Sequence, residues 1–364
     1  MSNSPKDRIT TIQTAVIISN FMLGSGILTL PRASTTVVGT PDVWISVIIG
    51  GAVAIAAGVL MAILSRSHAS QTVFQYSQKL LGKSFGGVIG LVVVFYFFMT
   101  AAYQVRVLAE VTGFFLLEGT PSWAIVMVFM WVSLYLMTSG INPIARLFEL
   151  ILPVTIVIYV LVMLMSLRIF ELDNLRPVLG EGIIPVLRGV KTTALSFLGV
   201  EIILVLTAFM DNPNKSVKAV VYGTMIPFFI YLLTVIIVIG GLSVQGVITR
   251  TWPTLDLVRS FELSGLIFER FESFLLVIWI MQIYSSFTIS YYASALGISQ
   301  ISKVKMMKCF YALLPIVFIV STLPKNTSLL FVFGDLLGKT ALYMFVTLTI
   351  ILLLLTKWKK RSVK

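Results

Sequence analysis

Two strings in this chain interrupt apolar runs with residues that expose the backbone. The first is Asn20-Phe21-Met22-Leu23-Gly24-Ser25-Gly26-Ile27, followed by Pro31. The second is Ser196-Phe197-Leu198-Gly199-Val200-Glu201. Each mid-helix glycine weakens a helix by roughly 1 kcal/mol and removes the side chain that would keep a ligand off the main chain. In lipid, freed amides and carbonyls must find partners, so such breaks are tolerated only inside protein or beside a cavity. The chemistry they permit is recognition. Amides of Ser25, Gly26 and Ile27 would open a half-helix and offer donors with partial positive charge, which suit a carboxylate. Carbonyls near Ser196 and Phe197 would end a half-helix and accept an ammonium group. Together they suit a zwitterion. The plainer alternative is that Gly24 and Gly26 serve close helix packing.

Two further runs carry polar stripes at helical spacing. Tyr96, Thr100 and Tyr103 fall at i, i+4 and i+7, and Gln282, Ser286 and Ser290 at i, i+4 and i+8. Such groups on apolar helices face protein or water; interhelical hydrogen bonding is the alternative to ligand contact. Ionisable residues within spans are functional candidates by default. Glu201 follows the second break and would support the unwound segment or take part in gating. Arg106 and Glu110 can pair at i, i+4. Arg146 and Glu149 read as a closed-gate or packing pair. Glu269, Arg270 and Glu272 suit a membrane boundary or a partner contact.

The elements that position these groups are membrane spans. Of 364 residues 58% are hydrophobic and 12% charged, and mean hydropathy is +1.00. A spanning helix needs about 20 apolar residues, and ten segments meet this: 9–35, 42–65, 84–117, 122–139, 143–170, 184–209, 215–242, 270–298, 304–323 and 336–356. A short interfacial helix is expected between the second and third. Residues 243–268 read as an extramembrane loop with an amphipathic part at Leu255, Val258, Arg259 and Glu262. The net charge of +12 collects at alternate segment ends, which places both termini in the cytoplasm. No basic stripe with interleaved aromatics supports nucleic-acid binding. Cys309 is the single cysteine, so no internal disulfide or thiolate cluster forms. There is no Walker loop, no metal-ligand cluster and no nucleophile with a histidine base, so an enzyme is not expected.

Ten spans suggest one transmembrane domain, residues 1–364, built from two five-span repeats at 9–170 and 184–356. An odd count per repeat inverts the second copy. The first and sixth segments then carry their breaks at corresponding positions, the best sequence pointer to a midplane binding site.

Gly24-Ser25-Gly26-Ile27-Leu28 with Leu30-Pro31, together with Phe197-x-Gly199-x-Glu201, resembles the amino acid–polyamine–organocation transporter superfamily. Thr29-Leu30-Pro31-Arg32-Ala33, Asn174-Leu175-Arg176-Pro177-Val178-Leu179-Gly180-Glu181-Gly182 and Phe268-Glu269-Arg270-Phe271-Glu272-Ser273 narrow this: they resemble the B subunits of GerA-type spore germinant receptors. The resemblance implies an all-α, LeuT-like core of ten helices in two inverted repeats, with helices one and six broken. It implies a site lined by helices one, three, six and eight: Gly24, Ser25, Gly26, Ile27, Thr100, Tyr103, Ser196, Phe197, Leu198, Gly199, Ser286 and Ser290, with Leu198 toward the ligand's side chain. It implies a nutrient sensor, usually for an amino acid, acting with an A subunit and a lipoprotein C subunit in the inner spore membrane. An amino acid transporter or a ligand-gated ion pathway is the alternative. No cofactor is expected, although Ser285 and Ser286 would permit a coupling cation such as sodium, since hard cations take oxygen ligands.

Overall fold

The computed structural model describes residues 8–260 and 272–362. Glu262, Glu269 and Arg270 lie outside the described residues, as do the side chains of Ser25 and Glu272. The helices are α1 (Thr11–Val38), α2 (Val43–Arg66), α3 (Val73–Leu81), α4 (Lys83–Phe115), α5 (Ser122–Thr138), α6 (Ile141–Met165) and α7 (Ile184–Ser196). They continue as α8 (Val200–Phe209), α9 (Ser216–Thr249), α10 (Pro253–Arg259), α11 (Glu272–Ser302), α12 (Met306–Thr322) and α13 (Thr327–Ser362). No strand occurs among the described residues.

Among the described residues six helices are long and apolar enough to cross a membrane: α2, α4, α6 with its following turn, α9, α11 and α13. Two more spans arise if each bent pair counts once. These are the halves of α1, Thr11–Gly24 and Gly26–Val38, bent by 53°, and the α7–α8 pair, bent by 43°. Helices α5 and α12 are apolar but only 17 residues each, somewhat short of an upright crossing. The chain is an integral membrane protein. Helix α11 is its inner wall, with 78% of its apolar window buried, against 28% for α13 at the periphery.

Local chemistry explains where the helices start and bend. Thr10 and Gln13 form a reciprocal capping box at the start of α1. Ile9 pairs with the end of α8 through Ile9 N to Phe209 O at 2.8 Å and Asp211 N to Ile9 O at 2.9 Å. The two broken helices therefore run in opposite directions from one face. Proline at 227 removes a donor from α9, and the Ser19 hydroxyl reaches the freed Gly223 carbonyl at 2.9 Å. Pro31 does the same to Ile27, and the Thr254 hydroxyl donates to that carbonyl at 3.2 Å.

That bond belongs to the expected extramembrane loop at 243–268, of which residues 243–260 are described. Helix α9 breaks at Ser243, whose φ of 62° is left-handed. The chain then folds back, and Thr254, Leu255, Leu257 and Val258 are buried, with α10 packed on α1 and α9. The apolar face covers protein instead of water. Thr254→Val leaves the Ile27 carbonyl without a donor. The expected loss is about 1–3 kcal/mol, read as a lowered unfolding midpoint of the detergent-purified protein; an unchanged midpoint would mean that another donor serves Ile27.

The last helix also starts earlier than the expected 336. It begins at Thr327, and Gly334 and Asp335 lie within it. Those two residues lowered the apolar signal because this part of α13 faces an internal cavity.

Candidate functional site

Both breaks open onto one cavity of about 740 Å³. From α1 it is lined by Phe21, Met22, Gly26, Thr29 and Arg32; from α4 by Tyr96, Thr100, Tyr103 and Gln104; from the end of α7 and its turn by Ser196, Leu198 and Gly199. Helix α13 closes the remaining side from Thr327 to Gly338. The α1 lining begins at the break and runs toward Val37, where Thr36, Val37 and Thr251 are exposed. The cavity therefore opens away from the face that holds the N-terminal end of α1.

The break in α1 is built by close approach. Gly24 has non-helical φ −24° and ψ −108°. A Cβ there would collide with the Ser286 hydroxyl and stand 2.9 Å from the Gln104 amide nitrogen. Three carbonyls near the end of the first half-helix already have side-chain donors. Ser286 Oγ donates to Asn20 O at 3.1 Å and Phe21 O at 3.0 Å, and Tyr231 Oη donates to Met22 O at 2.5 Å. What remains for a ligand on this side is the start of the second half-helix at Gly26, which carries partial positive charge.

The second break is held by a buried acid. Glu201 is 1% exposed. Its Oε1 accepts from the Tyr96 hydroxyl at 2.6 Å, and its Oε2 accepts from the Gly199 amide at 2.7 Å. Gly199 has φ 129°, a conformation that side chains rarely adopt. Amides of Phe197 and Leu198 turn back onto the carbonyls of Ala194 and Leu195 in the last turn of α7. The Ser196 carbonyl lies beside Gly26, 3.4 Å from the point a Cβ would occupy. A helix start and a helix end thus face the same space.

Several residues expected at the ligand stand elsewhere. Phe197 is buried against Phe228 and Tyr231 because its ring points behind the break. Ile27 is buried and takes Thr254 through its carbonyl. Ser286 is spent on the α1 carbonyls. Ser290 bonds back to the Ser286 carbonyl at 2.6 Å and does not line the cavity. Ser285 likewise turns to Met281 O of its own helix. Of the pair, Ser286 alone meets the α1 carbonyls. Gly24 lies behind the lining, closely approached by Ser286 and Gln104.

The other charged residues serve the frame. Arg106 and Glu110 pair at 2.9 Å, Arg106 Nε donates to Pro324 O, and Thr327 donates to Glu110. This clamps the α12–α13 turn to α4. Arg146 is exposed, and among the described residues no ion pair joins it to Glu149. Glu149 instead accepts from Gln13 of α1 at 3.1 Å, so the expected pair gives way to an α1–α6 tie. Gln104 was overlooked by the sequence reading, although it lies at i+4 from Thr100 and shares that face. Tyr231, Thr254 and Arg32 offered no such signal, since each acts through a tertiary contact.

The match with known proteins is extensive. The family described as "Spore germination protein" matches residues 8–329. Spore germination protein YndE of Bacillus subtilis is 54% identical over 99% of both chains. Spore germination protein A2 of the same organism is 39% identical over 94% of this chain and 92% of its own. In the backbone, the chain is similar to MhsT in complex with L-phenylalanine, with a TM-score of 0.73 at 12% identity, over 96% of this chain and 89% of the other. That likeness shows the LeuT-type transporter fold. The chain belongs to the spore germination protein family, as a transporter-like subunit of the germinant-receptor B type.

Proposed function

We propose that this subunit binds a small zwitterionic nutrient, an amino acid, in the cavity between the two breaks, and that occupancy signals germination through partner subunits. The observation that carries the reading is the opposition of a helix start at Gly26 and a helix end at Ser196 across one cavity. The ligand's carboxylate meets the first and its ammonium group the second. Thr100, Tyr103 and Leu198 surround the side chain. A ligand shifts a conformational balance only by binding its two states unequally, and the bent α1 and α7–α8 are the elements able to differ. The domain is a single body of two inverted repeats, 9–170 and 184–356. Partners are the A subunit and the lipoprotein C subunit, the location is the inner spore membrane, and both termini face the spore core. The ligand class is supported by the zwitterion polarity and by the amino acid bound in MhsT.

The transporter fold favours a second reading, in which the same site moves a solute or gates an ion. Ligand-driven flux through the purified protein in liposomes would select it; co-purification with the A subunit and no flux selects signalling. For either reading, Gly24→Ala pushes Ser286 from the Asn20 and Phe21 carbonyls. The expected result is loss of ligand response at wild-type protein abundance, scored by germination assay and immunoblot. A full response from this variant would remove the midplane site.

A further inference from the structure

The cavity extends well beyond the cleft between the breaks. It follows α1 past Thr29 to Arg32 and Thr36, opposite the first turns of α13. At 1.5 Å per residue, Arg32 lies about 9 Å beyond Gly26 along the helix. A small amino acid held at Gly26 and Ser196 does not reach it.

Arg32 is half-buried, and its guanidinium carbon sits 5.5 Å from the centre of the Phe331 ring. Phe331 in turn meets Trp252, with ring centres 5.4 Å apart. The stack holds the guanidinium plane and leaves its N–H edge for another partner. Among the described residues no carboxylate supplies that partner. Asp335, the acid in the cavity wall, is bonded to Lys339 one turn on. Glu110, near the same mouth, is bonded to Arg106 and Thr327. Among the described residues the outer half of the cavity therefore has an excess of one positive charge. A partly desolvated cation gains most from an anion that fits its fork.

We infer that the outer half of the cavity is a second subsite, which takes a carboxylate group from solution with Arg32 as the recognising residue. It rests on the reading of this cavity as the ligand's route, but uses none of the residues of the inner cleft. Its effect is to collect acids at the mouth and to favour ligands that carry a free carboxylate. Thr36 supports it only indirectly, because its hydroxyl is bonded to the Arg32 carbonyl.

The test is titration of the full chain in lipid nanodiscs with propionate, which has a carboxylate and no ammonium group, and with propylamine, which has the reverse. Propionate binds and weakens with added salt; propylamine does not. Arg32→Gln lowers propionate affinity by about tenfold or more, and Arg32→Lys by less, because a point charge replaces the fork. Equal affinity in wild type and Arg32→Gln, or no propionate binding to wild type, overturns the subsite. If Arg32→Gln fails to fold, Phe331→Leu keeps the charge and loses the stack: an affinity about threefold weaker is expected, and an unchanged affinity overturns the inference. The same titration with amino acids separates the two readings. Arg32-dependent propionate binding stands even where no amino acid binds, whereas amino acid binding without propionate binding removes the outer subsite alone.

Discussion

Gly199→Leu is expected to abolish ligand binding while the protein still accumulates in the membrane. Two independent physical terms act at this position. The backbone φ of 129° costs a side-chain-bearing residue about 1–3 kcal/mol. A Cβ would also stand 3.0 Å from the Met22 amide nitrogen and 3.1 Å from its Cα. Backbone cannot swing aside as a side-chain tip does, so α1 and the α7–α8 turn must separate. That separation parts Gly26 from the Ser196 carbonyl, the two poles of the proposed cleft. Gly199→Ala should act in the same direction with a smaller loss. Amino acid titration of the purified variants measures this, and wild-type affinity in the leucine variant would refute it.

The second large effect is expected at Glu201. Removing the carboxyl group in Glu201→Ala leaves the Gly199 amide and the Tyr96 hydroxyl without an acceptor. Each buried orphan costs about 1–3 kcal/mol. The loss should appear both as a lower unfolding midpoint and as lost ligand affinity, because the same two bonds hold the break in shape. Glu201→Gln has the right volume but only one acceptor oxygen, so it should fall between wild type and alanine. Tyr96→Phe removes one of the two bonds. A double-mutant cycle of Tyr96→Phe with Glu201→Ala should give a coupling of about 1–3 kcal/mol. Additive effects would mean that the contact between α4 and α8 does not hold the second break.

Much of this arrangement was legible in the residues, for specific physical reasons. Glycine and polar residues inside long apolar runs are conspicuous because lipid does not tolerate exposed backbone; this made Gly24–Gly26 and Ser196–Glu201 visible. The α4 stripe of Tyr96, Thr100 and Tyr103 was visible because helical spacing fixes a common face. Helical spacing does not say what the face meets. The Gln282, Ser286 and Ser290 stripe has the same pattern, yet Gln282 bonds Thr155 of α6 and Ser286 bonds α1. The amphipathic run at α10 did not reveal its contacts, because apolar periodicity is the same whether the covered face meets water, lipid or protein. Its true position depends on the left-handed turn at Ser243 and on one carbonyl freed by Pro31. Neither can be read before the fold brings Thr254 to Ile27. Asp335 marked the start of α13 as too polar for a span, when its polarity belongs to the cavity wall.

The most direct test is a structure of the assembled receptor with its activating nutrient, chosen by a thermal-shift screen of amino acids, sugars and ions. The ligand is expected between Gly26 and Ser196, its carboxylate toward the start of the second half of α1 and its ammonium group toward the end of α7. A nutrient seated in a partner subunit, with no ligand between the two breaks, would contradict the midplane site.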